Sequence, residues 1–186
     1  MEMKENREKM AALVRMLRRD INGAVVERME QLGIRYECNW GVSLHAVRRA
    51  ASLFAPDHAF ARFLYGQNLR ELLLSAFVIA DPCAVSADEL AFWGAGVKNS
   101  ELAFAWPSHP ARARPRAEKG LAEDAPSLLR YSALLALSRM RGSDGRLPDG
   151  VDGDALAARF AGDGSVLVRK AAEALAEAGK ESAPEL

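Results

Sequence analysis

Cysteine and histidine are scarce in this chain, and the few that occur form no metal-binding pattern. Cys38 and Cys83 lie far apart, with no CxxC pair or cysteine–histidine cluster, which indicates reduced thiols rather than a disulfide or a zinc site. His45, His58 and His109 show no HExxH spacing, and no glycine-rich nucleotide-binding motif occurs. We therefore expect no metal and no cofactor.

Long apolar runs and alternating, strand-like runs are also missing. The longest apolar stretch, Leu72–Ala80, has about half the length that a membrane span needs. The N-terminal sequence MEMKENREKM is too polar for the apolar region of a signal peptide. Apolar residues nevertheless make up 49% of the 186 residues, enough to bury a core. These features indicate a cytoplasmic, all-α protein that does not associate with membranes.

Apolar residues recur at helical spacing along most of the chain. Asn22-Gly23 is a weak point in the first periodic segment, while Ser43 and Asn68 are candidate caps for later helices. Trp93 is in register with neighbouring apolar residues and is predicted to lie in the core. We expect a single domain over 1–186, made of N-terminal helices (1–35), repeats (36–140), a glycine-rich loop (141–153) and a final helix pair (154–180).

An aliphatic residue followed by arginine recurs four times in this helical pattern. The pairs are Val47-Arg48, Leu69-Arg70, Leu129-Arg130 and Val168-Arg169. The last pair lies within DGSVLVRKAAEAL, which resembles the inner helix of a HEAT repeat. Small residues in such a helix allow neighbouring repeats to pack closely. The pattern predicts HEAT-like antiparallel helix pairs stacked into a curved α-solenoid.

Three helical segments follow one another along the chain: WGVSLHAVRRAA, NLRELLLSAFVIADP and DELAFWGAGVKNSEL. With these segments, residues 36–140 resemble the DNA alkylation repair proteins, HEAT-like-repeat glycosylases that release 3-methyladenine and 7-methylguanine. The resemblance implies a superhelix whose concave, basic face binds duplex DNA. It also implies excision of alkylated purines by hydrolysis of the N-glycosidic bond, without a metal.

The resemblance implies a catalytic aspartate, but this chain has no aspartate in the corresponding segment. The family places a catalytic aspartate where this sequence has Val97–Phe104, and Glu101 is the only carboxylate there. Glu101 is therefore the candidate catalytic residue, stabilising a developing oxocarbenium ion by its charge. The alternative role is structural, because a carboxylate in the first turn of a helix capped by Asn99 interacts favourably with the helix dipole.

Arginines are the candidate contacts with DNA phosphates. The net charge is zero, but residues 1–143 carry 20 basic and 16 acidic side chains, and residues 144–186 carry 5 and 9. For each arginine, pairing with a carboxylate or simple solvation is the alternative. The DNA-binding candidates are Arg48, Arg49, Arg70, Arg130, Arg112, Arg114 and Arg116, and the candidates for stacking on a base or sugar are Tyr36, Trp40, Trp106 and Tyr131.

Two functions are compatible with these patterns. The first is binding of duplex DNA, with excision of alkylated purines if Glu101 is competent. The second is a non-catalytic helical scaffold that binds a protein partner. Convergence of Arg48, Arg49, Arg70 and Arg130 on one face without acidic partners favours DNA, whereas pairing of each arginine with Asp or Glu favours the scaffold.

Overall fold

The chain folds into α-helices throughout the part that the structure, a computed structural model, describes. Ten α-helices and no β-strand occur in that part, which confirms the all-α prediction. None of these helices has both the length and the apolar character needed to cross a membrane. The described residues are 2–81, 84, 87–105, 121–122, 125–144 and 146–181.

Two compact units make up the chain, Met1–Ala84 and Val85–Leu186, and their boundary falls inside the segment predicted as repeats. The first unit contains helices α1 Glu2–Leu17, α2 Gly23–Gln31, α3 Leu44–Ala51, α4 His58–Tyr65 and α5 Arg70–Ile79. Helix α5 packs against α3 and α4, and α1 packs against the same two helices. The fully buried core side chains include Leu13, Val47, Phe60, Leu74 and Ile79.

Local polar caps explain where several of these helices begin. Ser43 accepts a hydrogen bond from the Ala46 N–H at 3.2 Å, as the sequence predicts. The weak point at Asn22 is a true helix start, because its side chain accepts the Ala24 N–H at 3.1 Å. The prediction for Asn68 is wrong: Leu69 occupies the cap position of α5 and provides no side-chain hydrogen bond there.

The second unit contains helices α6 Ala87–Ala95, α7 Ser100–Ala105, α8 Ser127–Asp144, α9 Gly153–Phe160 and α10 Val166–Glu181. Helix α8 packs against α7 and α10, and α9 packs against α10, so the predicted C-terminal helix pair forms. The core combines Leu134 and Leu137 of α8 with Phe160, Val168 and Leu175. The predicted loop starts later than expected, because α8 continues to Asp144.

Arg141, near the end of α8, joins that helix to α9 and α10. Its guanidinium donates to both carboxylate oxygens of Asp154, at 2.8 and 3.0 Å, and to the carbonyl of Leu175 at 3.3 Å. Gly153 and Gly179 lie against the guanidinium, where a Cβ atom would overlap it. These two glycines therefore make room for a buried part of the Arg141 side chain.

Lys9 links α1 to the start of α4 by binding two carboxylates. Its ammonium nitrogen lies 2.7 Å from Glu5 and 2.7 Å from Asp57, and Asp57 also caps α4 by accepting the Phe60 N–H at 3.0 Å. Burial opposes the ionisation of Asp57, but the hydrogen bonds from Lys9 and Phe60 outweigh it and lower the carboxyl pKa. The bond with Asp57, reinforced by Glu5, raises the pKa of Lys9 to about 12.

This lowered pKa predicts how acid affects the first unit. A depressed folded-state pKa stabilises the fold above the unfolded value of about 3.9, and the contribution disappears as pH falls through the folded value. We expect Asp57→Asn, which keeps a capping side chain, to lower the melting temperature at neutral pH. The difference from wild type should shrink below about pH 4, measured by circular dichroism. The exposed control Asp149→Asn should match wild type throughout; an undiminished Asp57→Asn difference in acid contradicts this assignment.

Candidate nucleic-acid interface

Arg70, predicted to bind DNA, lies in the interior of the first unit. Its side chain is 3% exposed, and its guanidinium donates to a Glu71 carboxylate oxygen and to the carbonyl of Val42, both at 2.8 Å. Glu71 is itself fully buried. The expectation that Arg70 contacts a phosphate is therefore corrected, because a guanidinium held in the core by a carboxylate does not reach a surface ligand.

Arg130, in the second unit, is also held by a carboxylate. Its guanidinium nitrogen lies 3.1 Å from Asp163, with the two side chains 24% and 8% exposed. Asp163 additionally accepts the Ser165 N–H at 2.8 Å, and its carbonyl accepts a hydrogen bond from Arg169 at 2.6 Å. The alternative role of these arginines, pairing within the protein, thus accounts for Arg130 and Arg169. Both side chains bind Asp163 and so stabilise the turn before α10.

Arg48 and Arg49 lie on the exposed face of α3, because Val47 and Ala51 occupy its buried face. Arg49 lies 3.5 Å from Asp20, and both side chains are exposed, so this ion pair contributes roughly 1 kcal/mol or less. The guanidinium group of Arg48 forms no hydrogen bond or ion pair with any residue that the structure describes. These two guanidinium groups therefore remain accessible to a ligand.

Three further exposed arginines, Arg15, Arg18 and Arg19, lie where α1 passes into a short 3-10 turn. The packing of α1 on α3 and the ion pair to Asp20 bring the turn next to α3. We call Arg15, Arg18, Arg19, Arg48 and Arg49 the arginine patch. Sequence reasoning missed its first three members because they precede the segment that carries the family resemblance, although RMLRRD was the available signal.

Trp40 adjoins the arginine patch through Arg18. The guanidinium carbon of Arg18 lies 5.6 Å from the centroid of the indole ring, within the range of a cation–π interaction. The backbone N–H of Trp40 donates to the Glu71 carboxylate at 3.2 Å, and the backbone carbonyl of Trp40 accepts the Asn22 N–H at 2.9 Å. Trp40 is thus a predicted stacking residue whose ring lies beside an exposed arginine of the patch.

The other aromatic residues considered above are half-buried or buried wherever the structure describes them. Tyr36 is half-buried, with the Arg70 guanidinium 6.0 Å from its ring. Tyr131 packs against the core of the second unit, and this burial raises its pKa, an effect that Arg139 partly offsets. Trp93 is 2% exposed and donates to Glu89 at 3.0 Å, which confirms its predicted core position. Trp106, Arg112, Arg114 and Arg116 lie outside the described residues.

Glu101 lies in the first turn of α7, as its structural alternative predicts. The side chain of Asn99 accepts the Leu102 N–H at 3.0 Å and so caps the helix, which places Glu101 at the positive end of the helix dipole. Its unit differs from the one that carries the arginine patch. No group of three or more His, Cys, Asp or Glu side chains that could hold a metal occurs among the described residues.

The arginine patch thus comprises five exposed arginines, of which Arg49 pairs with Asp20 and Arg18 lies beside Trp40. Guanidinium groups in such an arrangement bind oxyanions through charge and paired N–H donors. Comparisons of the chain with protein-family models, with curated proteins and with solved structures find no match. The function is therefore argued from the arginine patch itself.

Proposed function

We propose that this chain is a DNA-binding helical-repeat protein whose arginine patch contacts the phosphate backbone. The observation that carries the proposal is the exposure of five arginines on packed neighbouring elements, with Asp20 as their only ion-pairing carboxylate among the described residues. The predicted groove through Arg70 and Arg130 is no part of it, since both guanidinium groups are engaged by carboxylates. The strong charge of a DNA backbone suits the remaining arginines.

The proposal includes a HEAT-like α-solenoid, kinship with the DNA alkylation repair proteins and a cytoplasmic location. The packing of α4 on α5 and of α9 on α10 supports the first point, because consecutive helices form pairs in such repeats. The free, exposed thiol of Cys38 supports a reducing compartment. Excision of alkylated purines depends on Glu101, whose position in α7 suits a structural carboxylate, so the proposed function is confined to binding.

Removing two arginines of the patch is expected to weaken DNA binding in a salt-dependent way. Each lost phosphate contact reduces the slope of log affinity against log salt by about 1. For Arg18→Ala/Arg48→Ala we expect roughly tenfold weaker binding near 50 mM salt, with the deficit narrowing towards about 200 mM. Fluorescence anisotropy with a labelled duplex across this salt series measures both effects.

A matched control separates a specific patch from a general loss of charge. Arg35→Ala/Arg146→Ala removes two exposed arginines outside the patch, neither with a hydrogen bond or ion pair to any described residue. This control should bind DNA within about twofold of wild type. Equal losses in the two double variants, or a wild type that does not bind at low salt, would falsify the assignment of the patch.

A scaffold that binds a protein partner is the second candidate. It is favoured by the ion pairs Arg70–Glu71, Arg130–Asp163 and Arg49–Asp20, which engage three of the four arginines whose pairing with carboxylates favours a scaffold. The same titration distinguishes the two functions. Salt-sensitive DNA binding that depends on Arg18 and Arg48 excludes a purely structural role for the patch, whereas absence of binding at low salt leaves the scaffold as the better explanation.

A further inference from the structure

We infer that Trp40 is a stacking site for an unpaired nucleobase, so that the arginine patch binds single-stranded nucleic acid in preference to duplex. This inference rests on the proposed function, because the arginines supply the backbone contacts. It adds a preference for single strands over duplexes, which contacts with phosphates alone do not provide. Trp40 is half-buried, and part of the residue is therefore accessible beside Arg18.

The main chain at Trp40 is held on both sides, by the buried carboxylate of Glu71 and by the backbone of Asn22. One carboxylate oxygen of Glu71 accepts the Trp40 N–H at 3.2 Å, and the other accepts the Val42 N–H at 3.1 Å. The Asn22 N–H donates to the Trp40 carbonyl at 2.9 Å. Because a fully buried carboxylate is costly unless its partners are well placed, this arrangement fixes the backbone that carries the indole.

Gly41 adds a second constraint immediately after the tryptophan. Its φ is +69°, and a Cβ atom at this position would overlap the backbone carbonyl of Asn22. The Gly41 N–H donates to the side chain of Asn39 at 2.9 Å. The segment therefore crosses the start of α2 in a single close-packed arrangement, and a base that stacks on Trp40 meets a residue that is already ordered. Preorganisation of this kind reduces the entropic cost of binding.

The chemistry of the site distinguishes single strands from duplexes. In a duplex each base is stacked between its neighbours and presents only its edges to the grooves, whereas a single strand exposes the faces of its bases. An indole ring beside guanidinium groups offers a stacking surface at the place where the phosphates are bound. Because the Arg18 guanidinium lies over one face of the ring, the base is placed on the opposite face, and Arg18 remains available to a phosphate.

The test compares one labelled oligonucleotide, polythymidine, with a mixed-sequence duplex of equal length at the same salt concentration. Wild type should bind the single strand more tightly than the duplex. Trp40→Leu, which keeps an apolar side chain but removes the aromatic face, should bind the single strand roughly tenfold more weakly and the duplex within about twofold of wild type. Trp40→Phe should retain most of the preference, because phenylalanine still stacks.

The outcomes separate this inference from the proposed function. If wild type binds both ligands and Trp40→Leu weakens neither, or weakens both equally, stacking at Trp40 is wrong while the arginine patch stands. If Arg18→Ala/Arg48→Ala has no effect on either ligand, the proposed function itself fails. Trp40→Phe reports on stacking even if Trp40→Leu perturbs the fold, and a loss of the single-strand preference in a folded Trp40→Phe contradicts the inference.

Discussion

Replacement of Glu71 by leucine is expected to lower the free energy of unfolding by about 4 kcal/mol, the cost of breaking a buried ion pair at one partner. The substitution leaves the Arg70 guanidinium in the core without its carboxylate. It also removes the acceptor of the Trp40 and Val42 N–H groups. Urea unfolding followed by circular dichroism gives the difference directly.

The two backbone hydrogen bonds make Glu71 different from an ordinary buried partner. Replacing both members of an isolated ion pair with apolar residues is often nearly neutral. Here Arg70→Met/Glu71→Leu should remain clearly destabilised, because the buried Val42 N–H and the part-buried Trp40 N–H still lack an acceptor. The exposed control Glu30→Leu should fall within about 0.5 kcal/mol of wild type. A double variant as stable as wild type would show that the carboxylate does not hold the Trp40 segment.

Substitution of Gly41 by alanine should cost about 3 kcal/mol, from two separate causes. An L-residue pays roughly 1–2 kcal/mol for the left-handed backbone conformation, here with φ of +69°. The added methyl group also overlaps the carbonyl of Asn22, which is backbone and therefore yields little. The same urea unfolding measurement applies.

Gly33 provides a control that isolates the backbone contribution. Its φ is +76°, but no atom lies within 4 Å of a Cβ placed there. Gly33→Ala should therefore cost about 1 kcal/mol, and the excess for Gly41→Ala measures the close approach to Asn22. Equal losses of unfolding free energy in Gly33→Ala and Gly41→Ala would mean that the Trp40 segment moves away from α2 without a cost in stability.

Signals confined to a few neighbouring residues were sufficient to predict much of the fold. The capping hydroxyl of Ser43 and the apolar spacing of Val47 and Ala51 are local features, and all three occupy the expected positions. The same holds for Trp93, whose register with its helical neighbours indicated the core. Asn68 misled because capping propensity does not determine which of two adjacent residues takes the cap position.

Contacts between distant parts of the chain were beyond such reasoning. Arg70 looks like a surface arginine at the start of a helix, and only the crossing of the Trp40 segment over α5 makes it interior. Arg130 and Asp163 are separated by a helix and two turns, so their ion pair has no local signature. The candidate site differs from the predicted one for the same reason. Arg18 and Trp40 come close to each other only when α1 and the segment before α3 pack together.

Arg141 couples three positions of the second unit that are far apart in the sequence. The guanidinium occupies the space that side chains at positions 153 and 179 would otherwise take. A larger residue at either glycine requires the Arg141 side chain to move or to become shorter, and either change disturbs the bond to Asp154. The cost of a substitution at one of these three positions therefore depends on which residues occupy the other two.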